Sequence, residues 1–169
     1  MARVRLSLIS LALASSLSAQ ATLPVAGSGV PGIEFAVTTM SAECGLSFST
    51  LGSAPGVPEI RIDSLLVDPI VSPTARLTLV SLPSSTPTPL SSLGIFQSMD
   101  CSLVVDFASL LATSDVGPAT PVVSHVLEVG IGAPTTWLLP MGAAFNLQGV
   151  VLNNSELLTT HAYTLTRTM

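Results

Sequence analysis

Short runs in which apolar and polar residues alternate recur along this chain. They span residues 33–37, 59–63, 76–79 and 145–148. An alternation with a period of two places one set of side chains on each face of a β-strand. We therefore predict strands with one buried and one solvated face, as is usual in antiparallel sheets.

Segments rich in Gly, Pro, Ser and Asn separate these runs and predict turns. They cover residues 27–32, 52–58, 69–73, 83–90, 114–121, 130–134 and 153–155. Turns at this spacing are typical of an all-β fold, and we predict a single antiparallel β-sandwich, Ig-like or jelly-roll-like, of about eight strands. Residues 82–90 are expected to cross from one sheet to the other, and residues 107–113 to form one or two helical turns.

The apolar stretch over residues 126–152 requires a separate interpretation. Pro134, Pro140, Asn146 and Gln148 interrupt it, and its pieces alternate like strands. We therefore predict a buried hairpin here and not a membrane-spanning helix.

The first 21 residues have the pattern of a secretory signal peptide. Arg3 and Arg5 precede an apolar region over residues 6–17, and Ala-Gln-Ala at 19–21 is a small-x-small cleavage site. Cleavage is expected after Ala21, with Ala19 as the alternative. The prediction is a signal peptide over 1–21 and one domain over 22–169, secreted or at the cell surface, with the periplasm as an alternative location.

Removal of that segment changes the charge of the protein. The whole chain has a formal net charge of −5, and losing two arginines leaves −7. Only Arg61, Arg76 and Arg167 remain as cations, and the chain has no lysine. So few cations disfavour binding to nucleic acid or to anionic lipid, and no membrane insertion is expected after cleavage.

Cys44 and Cys101 are the two cysteines of the chain. Cys44 shares a strand face with Leu46 and Phe48, and Cys101 shares one with Leu103, Val105 and Phe107, so both thiols are expected to point into the core. In an exported protein such a pair predicts a disulfide. Two buried free thiols and a reactive or metal-binding pair are the alternatives.

The sequence contains few candidates for chemistry. It lacks the G-x-S-x-G nucleophile motif. His125 and His161 alternate with apolar residues and are interpreted as core-edge histidines whose ring nitrogens find backbone partners. Asp100 and Asp106 are interpreted as solvated surface charges, too far apart along a strand for a glycosidase pair.

Two further ligand sites are kept as alternatives. Calcium could draw on Asp63 with Asp68, or on Asp106 with Asp115, although no EF-hand loop is present. Trp137 is the one candidate platform for stacking on a sugar, and its competing interpretation is a core side chain. No cofactor and no metal site are predicted.

The C-terminal third resembles a known class of proteins. Residues 137–140 (WLLP), 142–149 (GAAFNLQG), 150–153 (VVLN) and 157–166 (LLTTHAYTLT) are similar to the closing hairpin of uncharacterised secreted bacterial β-sandwich proteins. Residues 93–94 and 101–105 resemble another segment of that class. Asn153 replaces its usual Asp, and Thr160-His161 its usual Ser-Asn. The resemblance implies a β-sandwich and export, and it carries no catalytic residue.

These observations predict a non-enzymatic structural or adhesive module. Its Ser/Thr-rich, weakly acidic faces are expected to contact another extracellular protein or a polymer. The first alternative is an extracellular binding domain linked to carbohydrate or calcium. The second is a small secreted hydrolase without a recognisable motif.

Overall fold

A computed structural model of the chain describes residues 21–27, 30–53, 59–66, 74–117, 122–128, 140–153 and 155–168. These residues form eleven strands and one short 3₁₀ turn, Leu90–Leu93. The strands are β1 (Ala21–Gly27), β2 (Val30–Met40), β3 (Leu46–Ser53), β4 (Glu59–Leu66), β5 (Thr74–Ser81), β6 (Thr88–Pro89), β7 (Ser102–Leu103), β8 (Leu111–Gly117), β9 (Val122–Glu128), β10 (Ala144–Asn153) and β11 (Glu156–Arg167).

The strands form three antiparallel sheets. The largest has the order β1-β2-β11-β10-β5-β8, the second has the order β3-β4-β9, and β6 pairs with β7. This confirms the predicted all-β sandwich. The described strands outnumber the predicted eight because β8 carries no clean alternation, and β6 and β7 have two residues each.

The main core lies between the two larger sheets. Ile60 and Ile62 of β4 are completely buried, as the alternation in that strand predicts. They belong to one apolar cluster with residues of β2, β10 and β11. Within it, the rings of Phe35 and Phe145 meet edge to face with their centroids 5.8 Å apart, a preferred geometry for aromatic pairs.

A second core covers the other face of the six-stranded sheet. The segment 82–110 lies there, and its Leu90, Cys101 and Leu103 pack with Leu79 of β5 and Val150 of β10. As a result β10 is buried on both faces over most of its length. The prediction of one solvated face is therefore wrong for β10, because a long connection takes the place of water. It is also wrong for β5, where Thr78, predicted on the solvated face, is buried as well as Leu79.

Several predicted local features differ from the structure. Residues 82–90 do not cross to the three-stranded sheet, since they lead from β5 into the segment that covers that strand's own sheet. Residues 107–113 form a turn and then enter β8, where pairing with β5 overrides a helical tendency. The predicted hairpin over 126–152 is also wrong, because β9 pairs with β4 while β10 pairs with β5 and β11.

The closing hairpin is formed by β10 and β11. Ser155 at its turn has a φ of 67°, in the left-handed region that tight turns use. The predicted turn at 153–155 is therefore present. Two other predicted turns are shorter than expected, since β2 begins at Val30 and β8 continues to Gly117. Among the described residues, no helix has the length and apolar character needed to cross a membrane.

Candidate functional site

Cys44 and Cys101 are joined as a disulfide, as the sequence predicts. Their sulfur atoms are 2.03 Å apart and their Cα atoms 5.4 Å apart. Cys44 also exchanges two backbone hydrogen bonds with Thr159 of β11, at 2.9 and 3.0 Å. The disulfide therefore connects the covering segment 82–110 to a backbone position that is itself held on the six-stranded sheet.

Two buried amide side chains hold the same segment against β10. Gln148 Nε2 donates to the carbonyl oxygens of Ser102 (3.2 Å) and Thr160 (3.1 Å), and its Oε1 accepts the Val104 N–H (2.9 Å). Asn146 Nδ2 donates to Ser84 O (2.8 Å) and Val104 O (3.2 Å). In the alternating pattern both amides count as solvent-facing, so their structural role was not predicted.

A β-bulge beside Gln148 makes this arrangement possible. The register between β10 and β11 shifts between Gln148 and Val150. Gly149, the residue in between, donates its N–H to Thr160 Oγ1 (2.9 Å). The Thr160 carbonyl accepts from the Gln148 amide. At the bulge, the Gly149 N–H and the Thr160 carbonyl are therefore bonded to side chains and not to the neighbouring strand. A β-bulge commonly redirects groups in this way.

His125 lies on the inner face of β9 and packs directly against Gly149. It is 2% exposed, and neither ring nitrogen has a hydrogen-bond partner among the described residues. Burial, helped by the positive charge of Arg76, lowers the pKa of His125 to about 4; the Leu77 backbone and Asp63 act in the opposite direction. The Leu77 backbone therefore lies close to the ring, but among the described residues neither ring nitrogen forms the predicted backbone hydrogen bond with ordinary geometry, and the neutral imidazole acts as a core side chain.

Acid should therefore destabilise the protein through His125. The folded-state pKa of about 4 lies below the unfolded value of 6.5, so stability is complete above pH 6.5 and decreases as the pH falls through 4. The His125 contribution to this loss is at most about 3 kcal/mol. Denaturant titrations at pH 7, 5 and 4 should show a smaller acid loss for His125→Phe than for wild type. Equal losses would contradict this role.

The absence of a side chain at Gly149 leaves room for the His125 ring. A Cβ built on Gly149 would lie 2.5 Å from His125 Cδ2, whereas one on Gly52 of β3 would meet nothing within 4 Å. We expect Gly149→Ala to lower the free energy of unfolding by about 1–3 kcal/mol, the usual effect of overpacking. Gly52→Ala is the matched control and should leave the thermal midpoint unchanged or slightly raised. Similar midpoints for the two variants would contradict the close packing.

His161 was predicted to resemble His125, and here the structure differs. Its Nε2 lies 3.2 Å from Glu43 Oε2, and the other carboxylate oxygen accepts from the N–H (3.3 Å) and hydroxyl (3.2 Å) of Ser49. Tyr163 donates its hydroxyl to Ser49 O (2.8 Å). Burial, and next the charge of Glu43, raise the pKa of Tyr163.

This Glu-Ser-His cluster does not have the order of a hydrolytic triad. A triad needs the imidazole between the hydroxyl and the carboxylate, whereas here the Glu43 carboxylate lies between Ser49 and His161. The other ring nitrogen, His161 Nδ1, is buried without a hydrogen-bond partner in the described part of the chain. The cluster therefore joins Glu43 to Ser49 of β3 and to His161 of β11.

The aspartates proposed as surface charges or calcium ligands have local partners. Asp100 accepts from the N–H (3.0 Å) and hydroxyl (2.8 Å) of Ser91, and Asp106 accepts from Ser109 Oγ (2.6 Å). Asp63 pairs with Arg61 (2.8 Å). Asp100 is exposed and Asp106 partly exposed, in line with their interpretation as surface charges, and both in addition organise turns.

Other predicted ligand residues lie outside the described part of the chain. Asp68 and Trp137 lie outside the described residues, as does the side chain of Asp115, and the predicted signal peptide lies outside them except for Ala21. The described ranges hold no group of three or more His, Cys, Asp or Glu residues arranged to bind a metal ion.

A solvent-exposed apolar surface lies on the loop that precedes Cys101. We call residues 93–100 the Phe96 loop. Phe96 is 84% exposed, Leu93 42% and Met99 39%. Between them Ile95 is partly buried in the second core. The loop therefore packs one side chain inward and displays three large apolar ones.

The Phe96 loop is fastened to β11 on the side that follows Phe96. Gln97 Nε2 donates to Leu157 O (2.8 Å), and Leu157 N donates back to Gln97 Oε1 (2.9 Å). Both the N–H and the hydroxyl of Ser98 donate to Glu156 Oε1. The disulfide to Cys44 anchors Cys101, the residue that follows the loop. These bonds fix the backbone on which Phe96 is displayed. Strand periodicity does not predict the exposure of Phe96, because the loop belongs to no regular strand.

Comparison with known proteins adds no further assignment. No protein-family model, no curated protein and no solved structure matches this chain.

Proposed function

We propose that this chain is a secreted, non-enzymatic β-sandwich module that adheres to another extracellular macromolecule through its Phe96 loop. The observation that carries the proposal is the 84% exposure of Phe96 on a loop bonded to β11 through Gln97 and Ser98. The disulfide supports the extracellular part, because such bonds persist in oxidising compartments.

A fixed loop is well suited to binding. Association normally has to overcome the entropy of ordering loops and side chains at the interface. Here hydrogen bonds and the disulfide already order the backbone around Phe96. Large aromatic side chains also supply a disproportionate share of binding energy at protein interfaces. The backbone that carries Phe96 is therefore ordered before a partner binds, which lowers the entropy cost of association.

The proposal is tested by adhesion of the purified mature protein to the envelope of the cells that produce it. We expect wild type to be retained and Phe96→Ser to lose at least about tenfold in retention, as for an interface anchor. Phe107→Ser is the matched control, because Phe107 is 46% exposed on a different turn. Equal retention of both variants, or no retention of wild type, would overturn the proposed surface.

A further inference from the structure

We infer that the partner of the Phe96 loop is a basic protein segment, in which arginine or lysine side chains lie beside apolar ones. The inference rests on the proposed function and names the chemistry of its partner. The geometry behind it is the display of three apolar side chains, those of Leu93, Phe96 and Met99, on one short loop to which two carboxylates are bonded through Ser91 and Ser98. These carboxylates belong to Asp100 and Glu156.

The serine partners of the two carboxylates hold them in place. Asp100 is exposed and accepts two hydrogen bonds from Ser91. Glu156 receives both of its bonds from Ser98 on Oε1, and its Oε2 accepts none from the described residues. Serine supplies hydrogen bonds without neutralising a negative charge. Each carboxylate therefore keeps its charge and retains acceptor capacity for an incoming cation.

No cation of the loop itself compensates these charges. Residues 93–100 contain no lysine or arginine. Arg167 lies at the opposite end of the twelve-residue strand β11 from Glu156, roughly 36 Å away at 3.3 Å per residue. Arg61 pairs with Asp63 on the three-stranded sheet, and Arg76 donates to Ser124 O (3.2 Å) in β9. The negative potential at the Phe96 loop is thus available to a partner.

The same features disfavour other occupants. A second copy of this chain is acidic and has no lysine, so its carboxylates would face like charges. Anionic lipid would be repelled for the same reason. A cation beside an aromatic ring and a carboxylate is favourable on both counts.

The test uses three synthetic peptides of equal length, in which leucine alternates with arginine, with glutamate or with serine. We expect the purified protein to bind the Leu/Arg peptide at least tenfold more tightly than the other two. Phe96→Ser should weaken this binding about tenfold and Glu156→Gln about threefold, and an increase in salt should weaken it further. Glu59→Gln on the three-stranded sheet is the charge-matched control and should have no effect.

The outcomes separate the inference from the proposed function. If the Leu/Ser peptide binds as well as the Leu/Arg peptide and Phe96→Ser weakens both, the basic partner is overturned while the contact surface stands. If Phe96→Ser changes no binding, both are overturned. If Glu59→Gln weakens binding as much as Glu156→Gln does, the attraction is a general effect of net charge and the inference fails. Binding of anionic vesicles or of a glycan array that depends on Phe96 would replace the basic protein as the partner.

Discussion

Replacing Cys44 and Cys101 together with alanine is expected to lower the free energy of unfolding by about 4 kcal/mol. The disulfide closes a loop with a sequence separation of 57, and a cross-link of that span restricts the unfolded chain by about this amount. In the native state the loss is expected mainly at the segment 82–110, because without the disulfide only its apolar packing and its hydrogen bonds hold it on the six-stranded sheet.

Urea titrations of the oxidised protein and of the double variant measure this effect. Intact mass provides the reference, since the oxidised protein should be lighter than the reduced sequence by two hydrogens. If the double variant does not fold, titration of wild type with and without a thiol reductant gives the same comparison. A difference below about 1 kcal/mol would show that the covering segment is held mainly by its other contacts.

Gln148→Met is expected to lower the free energy of unfolding by about 4 kcal/mol. The Gln148 side chain is completely buried and is bonded to the Val104 N–H and to the carbonyls of Ser102 and Thr160. Methionine has a similar length but leaves these groups without their partner, and each buried unpaired group costs about 1–3 kcal/mol. Ser102 lies opposite Pro89 in the strand pair β6-β7. Because the next pair is hydrogen-bonded through Leu90 N–H and Cys101 O, the Ser102 carbonyl points away from β6, and no ladder donor there can replace the lost amide.

The matched control for this variant is Gln97→Met. Gln97 also forms two bonds to one backbone position, at Leu157, but it is only partly buried, so water can replace much of what is lost. We expect a loss of about 1 kcal/mol there. Hydrogen exchange should also accelerate at the Val104 amide in Gln148→Met and not in Gln97→Met. Equal destabilisation and unchanged exchange would show that Gln148 does not hold the segment.

Local pattern predicted the parts of the fold that depend on local geometry. Ile60 and Ile62 of β4 are buried because a strand presents every second side chain to one face, whatever lies on the other. Phe35 and Val37 of β2 follow the same rule. Cys101, Leu103 and Val105 also share one cluster as predicted, although Val104 is buried as well. Both faces of the segment 101–105 are therefore covered, and strand periodicity alone does not predict burial of the second face. Phe107, predicted on the same face as Cys101, is instead exposed, because the chain turns at this residue.

The two histidines also show which features local pattern predicts and which depend on distant residues. Both alternate with apolar neighbours and were given one interpretation. In the structure, His125 packs against Gly149 on the facing sheet, whereas His161 lies beside Glu43, in the segment that precedes β3. Their partners lie far away along the chain. Neither pairing follows from spacing, because it depends on how the sheets stack.

Alternation, turn residues and two cysteines were thus enough to predict an all-β sandwich with a cross-link, since strand periodicity and thiol pairing are properties of short segments and of residue type. Tertiary structure decided that the segment 82–110 covers a second face of the six-stranded sheet, that Asn146 and Gln148 are internal, and that Phe96 is displayed. The physical reason is that burial depends on which distant segment excludes water from a surface. A polar side chain becomes internal when that segment brings the hydrogen-bond partners that water would have supplied.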